Sequence, residues 1–178
     1  MTSPGPTPSG ANPPTMYLPG HHLKIALIHP QIAPNTGNIG RLCVATGTPL
    51  HLVRPMGFVL SDRYLRRSAM DYWDRLQCTL HDDTETFLKT VGPDANLWMF
   101  DSSGEVDIWH ADFCDGDWLV FGSETRGLDT TLLERDPART VRIPQVAQER
   151  CLNLSTAAGI ALYEALRQVG LSCDKVTR

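Results

Sequence analysis

Four polar stretches in this chain carry side chains able to bind and activate a ligand, and each adjoins an apolar run. The first, Pro34-Asn35-Thr36-Gly37-Asn38-Ile39-Gly40-Arg41, supplies an amide and a guanidinium. The second is Asp101-Ser102-Ser103-Gly104, and the third is Gly122-Ser123-Glu124-Thr125-Arg126-Gly127-Leu128. The fourth opens with Ile143-Pro144-Gln145 and continues through Glu149-Arg150-Cys151-Leu152-Asn153-Leu154-Ser155. Together they offer carboxylate, amide, hydroxyl and guanidinium groups, which can orient a nucleophile and stabilise developing charge. The fourth ends where a helix should begin, and free N–H groups at a helix start suit a polar or anionic ligand. Neither Gly-x-Gly-x-x-Gly nor Gly-Lys-Ser/Thr is present, so the usual nucleotide-binding loops are excluded. Taken alone, Asn35 could be a plain turn residue and Arg41 a surface cation.

The elements that must position these stretches follow from apolar periodicity. Ala158, Ala161, Leu162, Ala165, Leu166 and Val169 share one face of a helix. Asn153 or Ser155 can cap its start, and Gly170 can end it in a left-handed turn. The stripe is rich in alanine, so its neighbour must come close to the helix backbone. Short apolar runs predict strands over 23–29, 50–53, 77–81, 96–100, 118–121 and 141–143. A helix is expected to follow the loop 34–41 and to end near Gly47, with others capped at Ser61-Asp62, at Asp82-Asp83-Thr84 and near Asp129. Residues 107–115 read as an acidic connection carrying Trp109 and Phe113. Strands alternating with helices predict an α/β fold, a mostly parallel sheet flanked by helices. Ligands in such folds collect beyond the carboxyl ends of the strands. Three predicted strands end there in a polar stretch, at Phe100, at Phe121 and at Ile143, and their convergence is stronger evidence than any one loop.

A chain of 178 residues suits one domain, expected over 23–170. Residues 1–22 are rich in Pro, Gly, Ser and Thr, lack the charged start and apolar centre of a signal peptide, and read as a flexible tail. Residues 171–178 form a C-terminal tail. A cytoplasmic protein is expected. The five cysteines are scattered, with no Cys-x-x-Cys, which argues against a zinc site or a disulfide framework. The histidines show no metal spacing. The net charge of −4 conceals an asymmetry: +4 over 24–78, −11 over 79–136 and +3 over 137–178. The basic outer thirds could meet a phosphate backbone while the acidic middle faces away, or the asymmetry could be solvated surface. Arg63, Arg66 and Arg67 share one helix face without acidic partners, which suits either a phosphate-binding ridge or, more commonly, a solvated face.

Three blocks together resemble the SPOUT class of RNA methyltransferases, and within it the small bacterial tRNA 2′-O-methyltransferases of the TrmL type. They are Pro34 to Arg41; Phe121-Gly122-Ser123-Glu124-Thr125-Arg126-Gly127-Leu128; and Arg142-Ile143-Pro144 with Cys151-Leu152-Asn153-Leu154-Ser155 and Tyr163-Glu164. The resemblance covers nearly everything over 23–170. It implies a parallel-sheet domain whose C-terminal part is threaded into a trefoil knot, S-adenosylmethionine bound in that knot, and a homodimer with its active site at the subunit interface. Carried over by position, Phe100, Gly122, Ile143, Cys151 and Leu152 would line the cofactor pocket, with Gly122 leaving room for the methionine part. Family members often have Ser where this chain has Cys151, a poorer hydrogen-bond partner.

The implied reaction moves a methyl group from the sulfonium to a ribose 2′-hydroxyl, with no metal. Its expected target is the wobble pyrimidine, position 34, of the tRNA anticodon loop. Asn35 and Arg41 are implied to reach the active site across the dimer interface. Arginine stays protonated in proteins, so Arg41 would stabilise the developing alkoxide or fix a phosphate while the proton leaves through phosphate or water. Glu124 would orient Arg41 or Arg126, Asn153 and Ser155 would hold the ribose, and Arg150 with Arg63, Arg66 and Arg67 would contact RNA. The rival expectations are 2′-O-methylation of another tRNA or rRNA nucleotide, and a non-catalytic knotted RNA-binding module.

Overall fold

The computed structural model describes residue 18 and residues 20–60, 72–147 and 151–174. The expected RNA contacts Arg63, Arg66, Arg67 and Arg150 lie outside them, as does most of the N-terminal tail.

Seven strands form one sheet in the order β3-β2-β1-β6-β4-β7-β5. They are β1 (Lys24–Ile28), β2 (Leu50–Val53), β3 (Cys78–His81), β4 (Leu97–Phe100), β5 (Val106–Asp107), β6 (Trp118–Phe121) and β7 (Thr140–Arg142). Every adjacent pair is parallel, as apolar strands separated by helical crossovers require. Among the described residues four α-helices accompany it: α1 (Ala33–Thr46), α2 (Thr84–Val91), α3 (Thr130–Leu133) and α4 (Leu154–Asp174).

The pleat sorts β1 into two cores. Ile25 and Leu27 pack with Ile39 and Cys43 of α1 and with the α4 stripe, whereas Ala26 and Ile28 pack with Phe87 of α2 and Leu132 of α3. The α4 stripe is buried as expected: Ala158, Ala161, Leu162 and Ala165 are wholly inaccessible. Its small side chains let α1 lie close against it. Truncating Leu162 to alanine would cost about 2–5 kcal/mol.

Three expectations are corrected. The stretch 34–41 is helix, not loop. Proline is tolerated in a first helical turn, and α1 begins at Ala33 and carries the motif to its end at Gly47, where φ is +73°. Gly40 inside that helix faces the side chains of Leu76 and Trp73, 3.2 and 3.3 Å from where a Cβ would stand. Second, α4 does not stop at Gly170 but runs on to Asp174; an interior glycine costs a helix only about 1 kcal/mol. Third, the connection 107–115 begins inside β5, the strand the periodicity misses, and β7 lies one residue earlier than expected.

β7 is inserted between β4 and β5, which adjoin in sequence. Val141 pairs with Phe100 on one side and Val106 on the other. Residues 101–105 must therefore cross β7. Gly104 allows it: a Cβ there would lie 2.7 Å from the Thr140 carbonyl oxygen and 2.9 Å from the Arg142 nitrogen. Among the described residues no helix is long and apolar enough to cross a membrane.

Candidate active site

α1 starts without a cap of its own, because Ile32 occupies the N-cap position. Glu124, from the loop after β6, supplies the missing acceptor. Its Oε2 accepts from the Gln31 N–H at 2.7 Å, and its Oε1 accepts from the Ile32 N–H at 3.2 Å and from Asn35 Nδ2 at 2.9 Å. A carboxylate there sits at the positive end of the helix dipole.

The chain of hydrogen bonds continues with a fixed polarity. Glu124 can only accept, so Asn35 must turn its amide nitrogen toward it and its oxygen away. That oxygen accepts from Asn153 Nδ2 at 2.9 Å. Asn153 then presents its own oxygen to Ser155, accepting from the backbone N–H at 2.9 Å and from Oγ at 2.7 Å. Asn153 thereby caps α4, as its sequence position suggested. One directional relay ties the three motif stretches together in a single chain.

Within this chain the oxygens of Glu124 are bonded to the start of α1, and neither Arg41 nor Arg126 of the same chain bonds to them. Asn35 engages Glu124 and Asn153 of its own chain. Arg41, six positions along α1, faces about a third of a turn away. It is exposed, with its guanidinium carbon 5.9 Å from the centroid of the Tyr72 ring. Tyr72 is itself buried and donates to the Gly37 carbonyl at 2.5 Å.

Beside the relay lies a cavity of about 500 Å³, within the range of small-molecule sites. It opens at the carboxyl ends of β6, β4 and β7, which are neighbours in the sheet. Phe100, Gly122, Ile143, Cys151 and Leu152 all line it, as do Asn35, Glu124 and Asn153; Arg41 and Ser155 do not. Phe100 and Phe121 stack with centroids 4.8 Å apart at 15°, forming an apolar floor.

The loop over that floor is a closed hairpin. Ser123 and Gly127 exchange backbone hydrogen bonds of 3.1 and 2.9 Å, and Ser123 Oγ accepts from the Arg126 N–H at 3.2 Å. Gly122 is required by this closure rather than by cofactor space alone: a Cβ would fall 2.0 Å from the Gly127 carbonyl carbon. Asp101, in the second polar stretch, lies on the opposite rim. Its Oδ1 accepts from Ser103 N–H and Oγ at 2.9 and 2.7 Å, and its N–H donates to the Val141 carbonyl at 3.0 Å. Arg126 and Gln145 also line the cavity without having been singled out for it. The signal for Arg126 was present, a cation inside the Glu124 loop.

Residues 22–163 match the SpoU rRNA Methylase family. A tRNA (cytidine(34)-2′-O)-methyltransferase of Burkholderia cenocepacia is 44% identical over 148 residues, covering 82% of this chain and 95% of that protein. A solved structure reported as giving structural insights into the 2-OH methylation of C/U34 on tRNA superposes with a TM-score of 0.78 at 43% identity. It covers 83% of this chain and 96% of its own. An AdoMet-bound rRNA methyltransferase from Sinorhizobium meliloti superposes with a TM-score of 0.72 at 26% identity, over 85% of this chain and 58% of that one.

Proposed function

The chain belongs to the SpoU rRNA methylase family, and from that premise we propose that it methylates the ribose 2′-hydroxyl of the wobble pyrimidine, position 34, in the tRNA anticodon loop. The observation that carries this reading is the Glu124–Asn35–Asn153 relay along one side of the strand-end cavity, in a chain 44% identical to a cytidine-34 enzyme.

The methyl donor is S-adenosylmethionine, which when bound supplies a methyl group activated by its sulfonium charge. The lining fits such a ligand. Phe100, Ile143 and Leu152 offer apolar surface to an adenine ring, and the backbone of three strand ends offers N–H and C=O groups to its polar edge. Cys151 adds a wall without a hydroxyl's hydrogen bonds.

The protein's task is to exclude water, orient the ribose hydroxyl and handle its proton. Asn35 and Asn153 hold each other in one orientation, so the amides beside the cavity need no rearrangement when substrate arrives. Glu124 acts through Asn35 as a positioning residue. Arg41 lies outside the cavity of its own chain, which supports a homodimer in which it enters the partner's site. The exposed Ile160 and Tyr163 on α4 suit such an interface. There its guanidinium stabilises the developing alkoxide or fixes the neighbouring phosphate. The proton leaves through phosphate or water.

β7 lodged between β4 and β5, beneath residues 101–105, supports a C-terminal trefoil knot. The basic outer thirds of the chain suit tRNA as partner, and a tRNA-modifying role suits the cytoplasm. Incubation with methyl-labelled S-adenosylmethionine and total tRNA, followed by nuclease mapping, tests the reading. Label in 2′-O-methylated C34 or U34 supports it; label at another nucleotide, or none, refutes it.

A further inference from the structure

Three charged side chains among the described residues line the cavity: Asp101, Glu124 and Arg126. Internal donors occupy all of Glu124 and one oxygen of Asp101. Arg126 differs. Its backbone N–H is fixed on Ser123 Oγ, but among the described residues its guanidinium has no hydrogen-bond or ion-pair partner. The side chain is exposed at the mouth, on a hairpin that is closed by two backbone hydrogen bonds and cannot accept a Cβ at Gly122. A rigid backbone thus presents five unused donors beside the cavity. A planar cation so placed is suited to bidentate capture of an oxyanion.

Resting on the methyltransferase reading, we propose that Arg126 grips the phosphodiester on the 3′ side of the target ribose. The 2′-hydroxyl and that phosphate belong to the same sugar, so a cation at the rim of the donor cavity can hold one while the other points inward. Phosphate contacts of this kind set register and orientation without reading the base. The same oxyanion chemistry is offered by the methionine carboxylate of the donor, and the experiment separates the two.

Arg126→Ala and Arg126→Lys are compared with wild type by calorimetric titration of S-adenosylmethionine and by steady-state methylation of an anticodon stem-loop at several salt concentrations. The expected result for Arg126→Ala is donor affinity within about twofold of wild type, KM for RNA raised about tenfold, and a salt slope smaller by about 0.7. Arg126→Lys recovers part of the loss. A stem-loop with a neutral methylphosphonate 3′ of nucleotide 34 weakens wild type by a similar factor and Arg126→Ala not at all. Donor affinity falling about tenfold with RNA KM unchanged would assign the arginine to the carboxylate and overturn the proposal. So would an Arg126→Ala protein unchanged in both. A wild type that leaves nucleotide 34 unlabelled defeats the methyltransferase reading and this inference with it; a labelling wild type with an unaffected variant defeats this inference alone.

Discussion

Asn153 donates its side-chain amide to Asn35 at 2.9 Å, joining the first turn of α1 to the cap of α4 across 118 positions of sequence. Asn35 is 6% exposed, and its other side-chain end is held by Glu124. Removing it leaves Glu124 Oε1 with the Ile32 N–H alone and takes the acceptor from the Asn153 amide. Asn35→Ala should therefore cost about 1–3 kcal/mol of stability, read by urea titration, and lower methyl transfer about a hundredfold. Wild-type turnover in that variant would detach the relay from catalysis.

Glu124→Gln separates positioning from proton transfer. The substitution keeps the shape but puts an amide where the start of α1 needs acceptors, and it removes charge from the helix terminus. Stability should fall by about 1–2 kcal/mol, with turnover reduced in step. An unchanged melting temperature with transfer abolished at every pH would instead mark Glu124 as a proton acceptor.

Gly104→Ala and Gly122→Ala probe two close backbone approaches. At Gly122 the added methyl would overlap the Gly127 backbone, so the hairpin must open. At Gly104 it would press on β7 where residues 101–105 cross it. Each should destabilise by about 3 kcal/mol or more, and Gly122→Ala should also lose donor binding. Calorimetry and thermal melting on the two variants check both statements.

These glycines show where the sequence was legible and where it was not. β6 is an unbroken apolar run and the α4 stripe has a helical period, so both were readable. The three polar strand ends were readable too, and they converge because β6, β4 and β7 are neighbours in the sheet. β5 was not, because Val106–Asp107 has no periodicity and exists only through its register with β7. The start of α1 was misread because Pro34, Asn35 and Gly37 are turn formers locally, while the acceptor that stabilises the helix start lies at Glu124. The direction of that contact is a tertiary fact, and no local pattern encodes it.

A histidine pair makes stability depend on pH. His51 Nδ1 and His81 Nε2 are 2.9 Å apart in the core, between Trp118 and Phe87. Burial, then the neighbouring His81 and Lys24, lowers the pKa of His51 from 6.5 to about 4, and burial lowers that of His81. Because the folded value lies below the unfolded one, stabilisation is complete above pH 6.5 and is lost as pH falls toward 4. The His51 share is at most about 3 kcal/mol. Urea unfolding between pH 7 and 4 should show the decline, and His51→Gln should make it shallower.

Thiol chemistry should divide the cysteines by burial. Burial pushes Cys43 up to about 12, with Cys78 adding to it, and pushes Cys78 up to about 11. Cys114 and Cys151 are exposed. Brief iodoacetamide treatment followed by peptide mass spectrometry should modify Cys114 and Cys151 and spare Cys43 and Cys78. Saturating S-adenosylmethionine should protect Cys151 and leave Cys114 reactive.

The methyl donor is expected in the space at the tips of β6, β4 and β7. A co-crystal structure with S-adenosylhomocysteine tests it most directly. The adenine is expected among Phe100, Ile143 and Leu152, with the sulfur turned toward Asn35 and Asn153. Ligand bound elsewhere, or an empty cavity at saturating concentration, would contradict it.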